Sequence, residues 1–334
     1  MNTSKLLILI HVLITATACS PQPGFRDGIL AEEFVYEEAP FPSCHASTIA
    51  ETPVGLVTAF FGGAYERHPD VCIYLSRRTE EGWSTPEEAA NGIINDTLLY
   101  PTWNLVLFQV PEGELILFYK VGPSPSKWWG MLKRSTDGGI TWSEAEALPD
   151  GYIGPVKNKP VLLDDGTLIC PTSTEDQGWR IHFEFSSDNG HNWTRTDPIN
   201  NPQTFQAIQP SILFHPDGKL QILARTLNSV LVTSWSEDLG KSWSLLQESG
   251  LPNNNSGMDA MTLEDSEIGE YSYPSVIQSA DGMVHVVYTW RREKIKYVKI
   301  DPKQLRTSPI VSGKWPQSEK IRDKCAGWAR QPAG

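Results

Sequence analysis

Apolar positions along this chain gather in short runs, and the polar breaks between them fall at strand length. PVLLDDGTLICPTS (160–173), PSILFHPDGKLQILART (210–226) and PSVIQSADGMVHVVYTW (274–290) share one plan: an apolar stretch, an acidic-Gly turn and a second apolar stretch. NLVLFQVPEGELILFYK (104–120) and STIAETPVGLVTAFFGG (47–63) are looser copies. Continuous or alternating apolar residues on both sides of a glycine turn predict β-hairpins, because glycine accepts the backbone angles such turns require.

A second motif recurs between the hairpins. STDGGITW (135–142), SSDNGHNW (186–193) and SEDLGKSW (236–243) all fit S-x-D-x-G-x-x-W, and EEGWSTP (80–86) is a degenerate relative. Their aspartates, Asp137, Asp188 and Asp238, stand 51 and 50 residues apart. The aspartate is expected to accept backbone N–H groups across a tight turn, while the tryptophan packs on the sheet edge. The boxes therefore read as structural fasteners. A repeat of about fifty residues made of hairpins, with no helical periodicity between them, predicts an all-β chain built as a β-propeller.

The period breaks once. Pro160 and Pro210 open successive units, and Asp259 in GMDAMTLED (257–265) follows Pro210 by 49 residues. The next opener, Pro274, comes only 15 residues later. Roughly 35 residues of a fifth blade are therefore expected to be missing, leaving either five blades with an inserted loop or a strained, unclosed ring.

Composition narrows the function classes. The 334 residues are 40% hydrophobic and include 12 tryptophans and 25 prolines, enough for a substantial core with many tight turns. A net charge of −12 argues against a nucleic-acid partner but leaves room for a local basic pocket. Cys44, Cys72, Cys170 and Cys325 show no metal-ligand spacing, so no metal or other cofactor is expected and buried thiols are the simpler reading.

The N-terminus reads as an export signal. Lys5 precedes the apolar run LLILIHVLI (6–14), which is too short to span a bilayer, and small residues lead to Cys19. Residues 1–19 are similar to a bacterial lipoprotein signal with Cys19 as the lipidated residue, ordinary cleavage being the alternative. On this reading 20–32 is a tether, 33–305 the propeller and 306–334 a C-terminal tail. The expected product is a monomer that meets the membrane only through its lipid, facing the periplasm or cell surface.

The boxes, the blade length and the export signal together resemble the sialidase superfamily of BNR/Asp-box repeat proteins. CHASTIAET (44–52), FFGGAYERHPDVCIYLSRR (60–78) and EYSYPSVIQ (270–278) carry the nearest likeness. The resemblance implies a six-bladed propeller, here with the fifth blade truncated, and an exo-glycosidase that releases a terminal acidic sugar from glycans. It also implies three arginines clamping a carboxylate, a tyrosine nucleophile with a glutamate partner, and an acidic acid/base residue. Tyr271 in EYSYP matches the tyrosine, with Glu270 or Glu184 as partner, and Arg225 matches one clamp arginine. Arg291 or Arg292 supplies another, and Asp70 in ERHPD is the acid/base candidate with Glu66 as its rival.

One departure is plain. Where the family places an arginine in the first blade, this chain has FPSCHAST with His45. A carboxylate would then rest on His45, Lys120 or Lys157, or the substrate is not sialic acid. Lys157 and Lys159 either form an anion-binding rim or face water. Tyr271 and Tyr273 alternate around Ser272 and should share one face of an extended strand. Trp103, Trp128, Trp129 and Trp290 are read as packing between blades. Two rival functions remain: a polysaccharide lyase on uronate-capped glycans, favoured by His45 with Tyr271, and a non-catalytic carbohydrate-binding propeller, favoured by the short blade.

Overall fold

The computed structural model describes residues 27–252 and 269–305. The hairpins stack as five antiparallel sheets around an axis. Blade 1 comprises Ser43–Thr52, Gly55–Gly63 and Cys72–Thr79, with Gly82–Trp83 and Glu87–Ala90 at its rim. Blade 2 comprises Thr102–Gln109, Leu115–Val121, Trp129–Ser135 and Glu146–Ala147. Blade 3 runs through Val161–Leu162, Leu168–Thr174, Arg180–Ser186 and Thr194–Arg195. Blade 4 runs through Ala207–Phe214, Leu220–Thr226, Val230–Ser236 and Gln247–Pro252. Blade 5 is built from both ends of the described chain: Tyr271–Gln278, Val284–Trp290 and Lys294–Ile300 are completed on the outside by Ile29–Phe34. That outer strand begins inside the stretch read as a tether.

The six-bladed expectation is therefore corrected to five blades among the described residues. The physical reason is length. Only residues 253–270 separate the last strand of blade 4 from the first strand of blade 5, about a third of a fifty-residue unit. The GMDAMTLED opener lies in that stretch, outside the described residues, as do Cys19 and Cys325.

Apolar clusters fill the seams between neighbouring blades. Val57, Ile73 and Leu75 of blade 1 meet Leu105, Leu107 and Leu117 of blade 2. Val106, Ile116 and Phe118 meet Cys170 and Trp193 across the next seam, and Ile169, Ile181 and Phe183 meet Ala207, Ile222 and Val232 across the third. Ile49 and Phe60 of blade 1 pack with Val287 and Tyr297 of blade 5. The remaining cluster, Val286, Tyr288, Val298 and Ile300, draws its residues from blade 5 and the segments beside it and takes none from blade 4.

The boxes fasten the outer hairpins as their residue types require. Ser186 donates to Asp188 Oδ1 (2.9 Å), the Gly190 N–H donates to Ser186 (2.7 Å), and Asp188 accepts the backbone N–H groups of His191 and Asn192. The Asn192 side chain and backbone N–H first, then Ser186 and the His191 N–H, hold the Asp188 carboxyl at about 2. The boxes at Asp137 and Asp238 repeat the arrangement. Cys44, Cys72 and Cys170 are free and buried.

A candidate active site at the propeller axis

Each blade brings its chain to the axis in the same unusual way. Ala46, Asn104, Lys157, Gln209 and Tyr273, one per blade, all hold positive φ of 30–68°. Side chains disfavour this region, and none of the five is glycine. In four blades the residue lies in a break of strand register: His45/Thr48, Trp103/Val106, Ile208/Ser211 and Ser272/Ser275. These are β-bulges, which turn a side chain away from the pleat and are frequent beside functional sites.

The bulge in blade 5 separates the two tyrosines. Tyr271 stays on the outside, where Arg291 Nε donates to its hydroxyl (3.4 Å) and its ring packs near Trp290. Arg291 itself lies over the Trp290 ring. Tyr273 turns to the axis. Its ring sits 4.3 Å from the His45 ring, and its hydroxyl receives Arg225 Nη2 at 3.5 Å and Gln209 Nε2 at 3.4 Å. The expectation that both tyrosines share a face is thus corrected: the left-handed Tyr273 breaks the alternation.

Arg225 lies between two aromatic rings, 5.2 Å from Trp179 and 5.8 Å from Tyr273, the usual setting for a guanidinium near a π face. Arg292 is held by two carboxylates: its Nε donates to Glu270 at 2.6 Å and its Nη1 to Glu66 at 2.7 Å. Burial pushes the Glu270 carboxyl up, but the bonds from Arg292 and Ser272 outweigh it and leave it below the ordinary value. Burial likewise opposes the charge on Arg292, and the two carboxylates more than restore it.

His45 is only 3% exposed, and its Nδ1 has no hydrogen-bond partner among the described residues. Burial, reinforced by Arg292 and Arg225, holds its pKa down at about 3, so the ring is neutral. Gln209 Oε1 is also buried without a partner. Two unpaired polar atoms beside one tyrosine are costly in a closed protein, and a ligand that pairs them would remove that cost.

Several candidates sit elsewhere. Lys120 is fully buried and donates to the Pro155 carbonyl; burial lowers its pKa to about 7. Lys157 is 6% exposed and donates to the Pro274 carbonyl at 2.7 Å, so its ammonium neither lines an anion rim nor faces water. With Asn158 on the Gln209 carbonyl and Lys159 on the Leu107 carbonyl, the KNK stretch ties blade 3 to blades 5, 4 and 2. Glu184 is fully buried and accepts the Ile153 and Gly154 N–H groups and His182 Nε2, so it is not the partner of Tyr271. Asp70 turns into its own loop, paired with His68 at 2.7 Å and accepting the Ala64 N–H.

Three residues of the cluster escaped the sequence reading: Gln209, Trp179 and Glu175. Burial raises the Glu175 carboxyl, against the opposing effects of Arg225 and a hydrogen bond from Trp179. Glu175 follows the second strand of blade 3 as Glu66 follows that of blade 1, so position within the repeat was the available signal. Among the described residues no group of three or more His, Cys, Asp or Glu is arranged to hold a metal ion.

A BNR repeat-like domain matches residues 55–268. The intramolecular trans-sialidase of Ruminococcus gnavus superimposes with a TM-score of 0.65 at 13% identity, over 84% of this chain and 99% of that one. A sialidase from Streptococcus pneumoniae gives 0.64 at 11% identity, covering 82% and 71%, and the Trypanosoma rangeli sialidase 0.58 at 14%, covering 80% and 56%. No curated protein matches the sequence. At these identities the likeness establishes the fold, and the domain match, which spans well over half of the chain, establishes the family: the protein belongs to the sialidase-like BNR-repeat family.

Proposed function

We propose that the axial cluster is the active site of an exported exo-glycosidase that removes a terminal acidic sugar from glycans. The observation that carries this reading is Tyr273. Its hydroxyl accepts from Arg225 and Gln209, and its ring lies against a neutral, unpartnered histidine. Tyr273 replaces Tyr271 as the nucleophile. It attacks the anomeric carbon as the glycosidic bond breaks, and its proton passes to His45 Nδ1. A substrate carboxylate beside Arg225 would raise the His45 pKa and make it a better acceptor. Glu175, whose carboxyl burial raises, gives a proton to the leaving oxygen; a water it then deprotonates frees the sugar from Tyr273, which takes its proton back from His45. Glu66 and Glu270 fix Arg292 at the rim.

The likeness to sialidases supports the reaction class. Export with lipid attachment at Cys19 is part of the proposal and is checked by labelling cells with a fatty-acid analogue, where a Cys19→Ala protein should carry no label. The enzymatic reading is tested by incubating the mature protein with a sialylated glycan and analysing products by mass spectrometry. Free acidic sugar is expected, with at least a hundredfold loss in Tyr273→Phe and little loss in Tyr271→Phe. The reverse order of the two variants would sink the assignment. The neutral His45 against Tyr273 also suits a lyase, in which that pair would remove a proton beside a uronate carboxylate, and an unsaturated product would move the assignment there.

A further inference from the structure

A cavity of about 550 Å³ opens on blade 4, lined by His215, Pro216, Asp217, Lys219, Trp235 and Glu237. Strand register sets Leu213, Gln221 and Trp235 in one row across the sheet. From Gln221 to Arg225 is four residues of one strand, about 14 Å, so the cavity lies at the other end of the blade from the axial cluster.

The blade count explains why its aromatic wall is open. Trp235 stands immediately before the box serine Ser236, as Phe185 stands before Ser186 in blade 3. Phe185 packs against the apolar seam that joins blades 3 and 4. No described cluster joins blade 4 to blade 5, and Trp235 is 38% exposed. A large ring at the wall of a cavity, with polar groups converging beside it, is the composition of a small-molecule site.

The walls are fixed in advance. His215 Nε2 bonds to Gln221 Oε1 at 2.9 Å, Gln221 Nε2 donates to Thr233 Oγ1 at 3.0 Å, and the His215 ring lies 4.7 Å from the Trp235 ring. The Trp235 N–H donates to Ser244 Oγ, and its carbonyl accepts the Ser244 N–H. Lys219 pairs with Glu237 at 2.8 Å and stands 3.9 Å from Asp217, whose Oδ1 accepts the Lys219 N–H. Binding would therefore cost little further ordering of these side chains.

The same groups select a ligand class. Lys219 already answers two carboxylates and offers no free charge to an anion. An indole face suits the C–H face of a pyranose, while an ammonium beside carboxylates donates to and accepts from adjacent hydroxyls of an uncharged sugar. We infer that this cavity is a second, non-catalytic site that holds a neutral sugar residue of a polysaccharide. Such a site keeps a long glycan near the protein by raising its effective concentration at the axis. Binding in the cavity is independent of the reaction assigned to the axial cluster.

The mature protein would be run in native gels containing dextran, a mannan or a galactan. At least one of these neutral polymers should retard the wild type, and retardation by none overturns the inference. Trp235→Ala should weaken the retardation at least tenfold. Glu237→Ala, at a position whose side chain is 76% exposed, should weaken it about fivefold and serves should the tryptophan variant fail to fold. Undiminished retardation of either folded variant overturns the assignment. Tyr273→Phe should be retarded as the wild type is; a loss there would put the polymer at the axis and remove the second site. If the polymer binds through Trp235 while the protein releases no acidic sugar, the cavity assignment stands and only the axial reading falls.

Discussion

The second strands of blades 3 and 4 have similar sequences and different surroundings. Leu168–Thr174 (LICPTST) is buried at six of seven positions, whereas in Leu220–Thr226 (LQILART) buried and half-buried residues alternate. Blade 3 is sandwiched between the apolar seams of blades 2 and 4, so both faces of its strand are dry. Blade 4 shares a seam with blade 3, and no described cluster joins it to blade 5. The half-buried set, with Gln221 and Arg225 among it, reports that difference, and it places Arg225 where it can reach Tyr273. A strand covered on both faces reads as a continuous apolar run, and one covered on a single face alternates.

The sharpest way to break the comparison is one substitution made in both strands. Leu168→Ala removes a fully buried side chain and should cost about 2–5 kcal/mol, while Leu223→Ala at a half-buried position should cost about 1, both read by denaturant titration. Equal costs would mean that blade 4 is as well packed as blade 3.

The next effect is a pH dependence at the axis. His45 is held neutral by burial in the native state, with a pKa near 3 against an ordinary 6.5. Below about pH 6.5 the unfolded chain binds a proton that the native ring refuses, so stability falls as the pH drops toward 3 and is recovered as it rises. The full shift corresponds to on the order of 5 kcal/mol. Melting temperatures from pH 7 to 4 should therefore fall less steeply in His45→Asn than in the wild type; parallel curves would deny the buried neutral ring. His285, which burial also lowers, supplies a weaker slope common to both proteins.

The boxes should erase the contrast between blades, since their bonds are local. Asp188→Ala in blade 3 and Asp238→Ala in blade 4 should each cost about 1–2 kcal/mol, and a large disparity would show that the turns couple to the seams. The smallest effect distinguishes the tryptophans. Trp193 donates to the Gly190 carbonyl at 2.9 Å, whereas the buried Trp142 Nε1 has no partner among the described residues. Trp193→Phe should lose about 1 kcal/mol more than Trp142→Phe.

Much of the fold could be read from the residues. The hairpins follow from apolar runs around glycine turns, and the boxes from a serine, an aspartate and a glycine at fixed spacing. The site was harder because the bulges carry no sequence mark. Ala46, Asn104, Lys157, Gln209 and Tyr273 adopt left-handed angles without being glycine, so the strand period applied to Tyr271 and Tyr273 gave the wrong phase. The resemblance offers Glu184 as a partner for the tyrosine, yet two loop N–H groups and a histidine satisfy it inside its own strand.

The strand Ile29–Phe34 pairs with Lys294–Ile300, with the Asp301 N–H donating to the Gly28 carbonyl. As the chain leaves the ribosome, the first of these strands must wait until the last has been synthesised, holding an open edge while four blades assemble ahead of it. Closing so long a loop is slow, which makes blade 5 the last to form and a waiting Ile29–Phe34 the point at which a second nascent chain could dock instead.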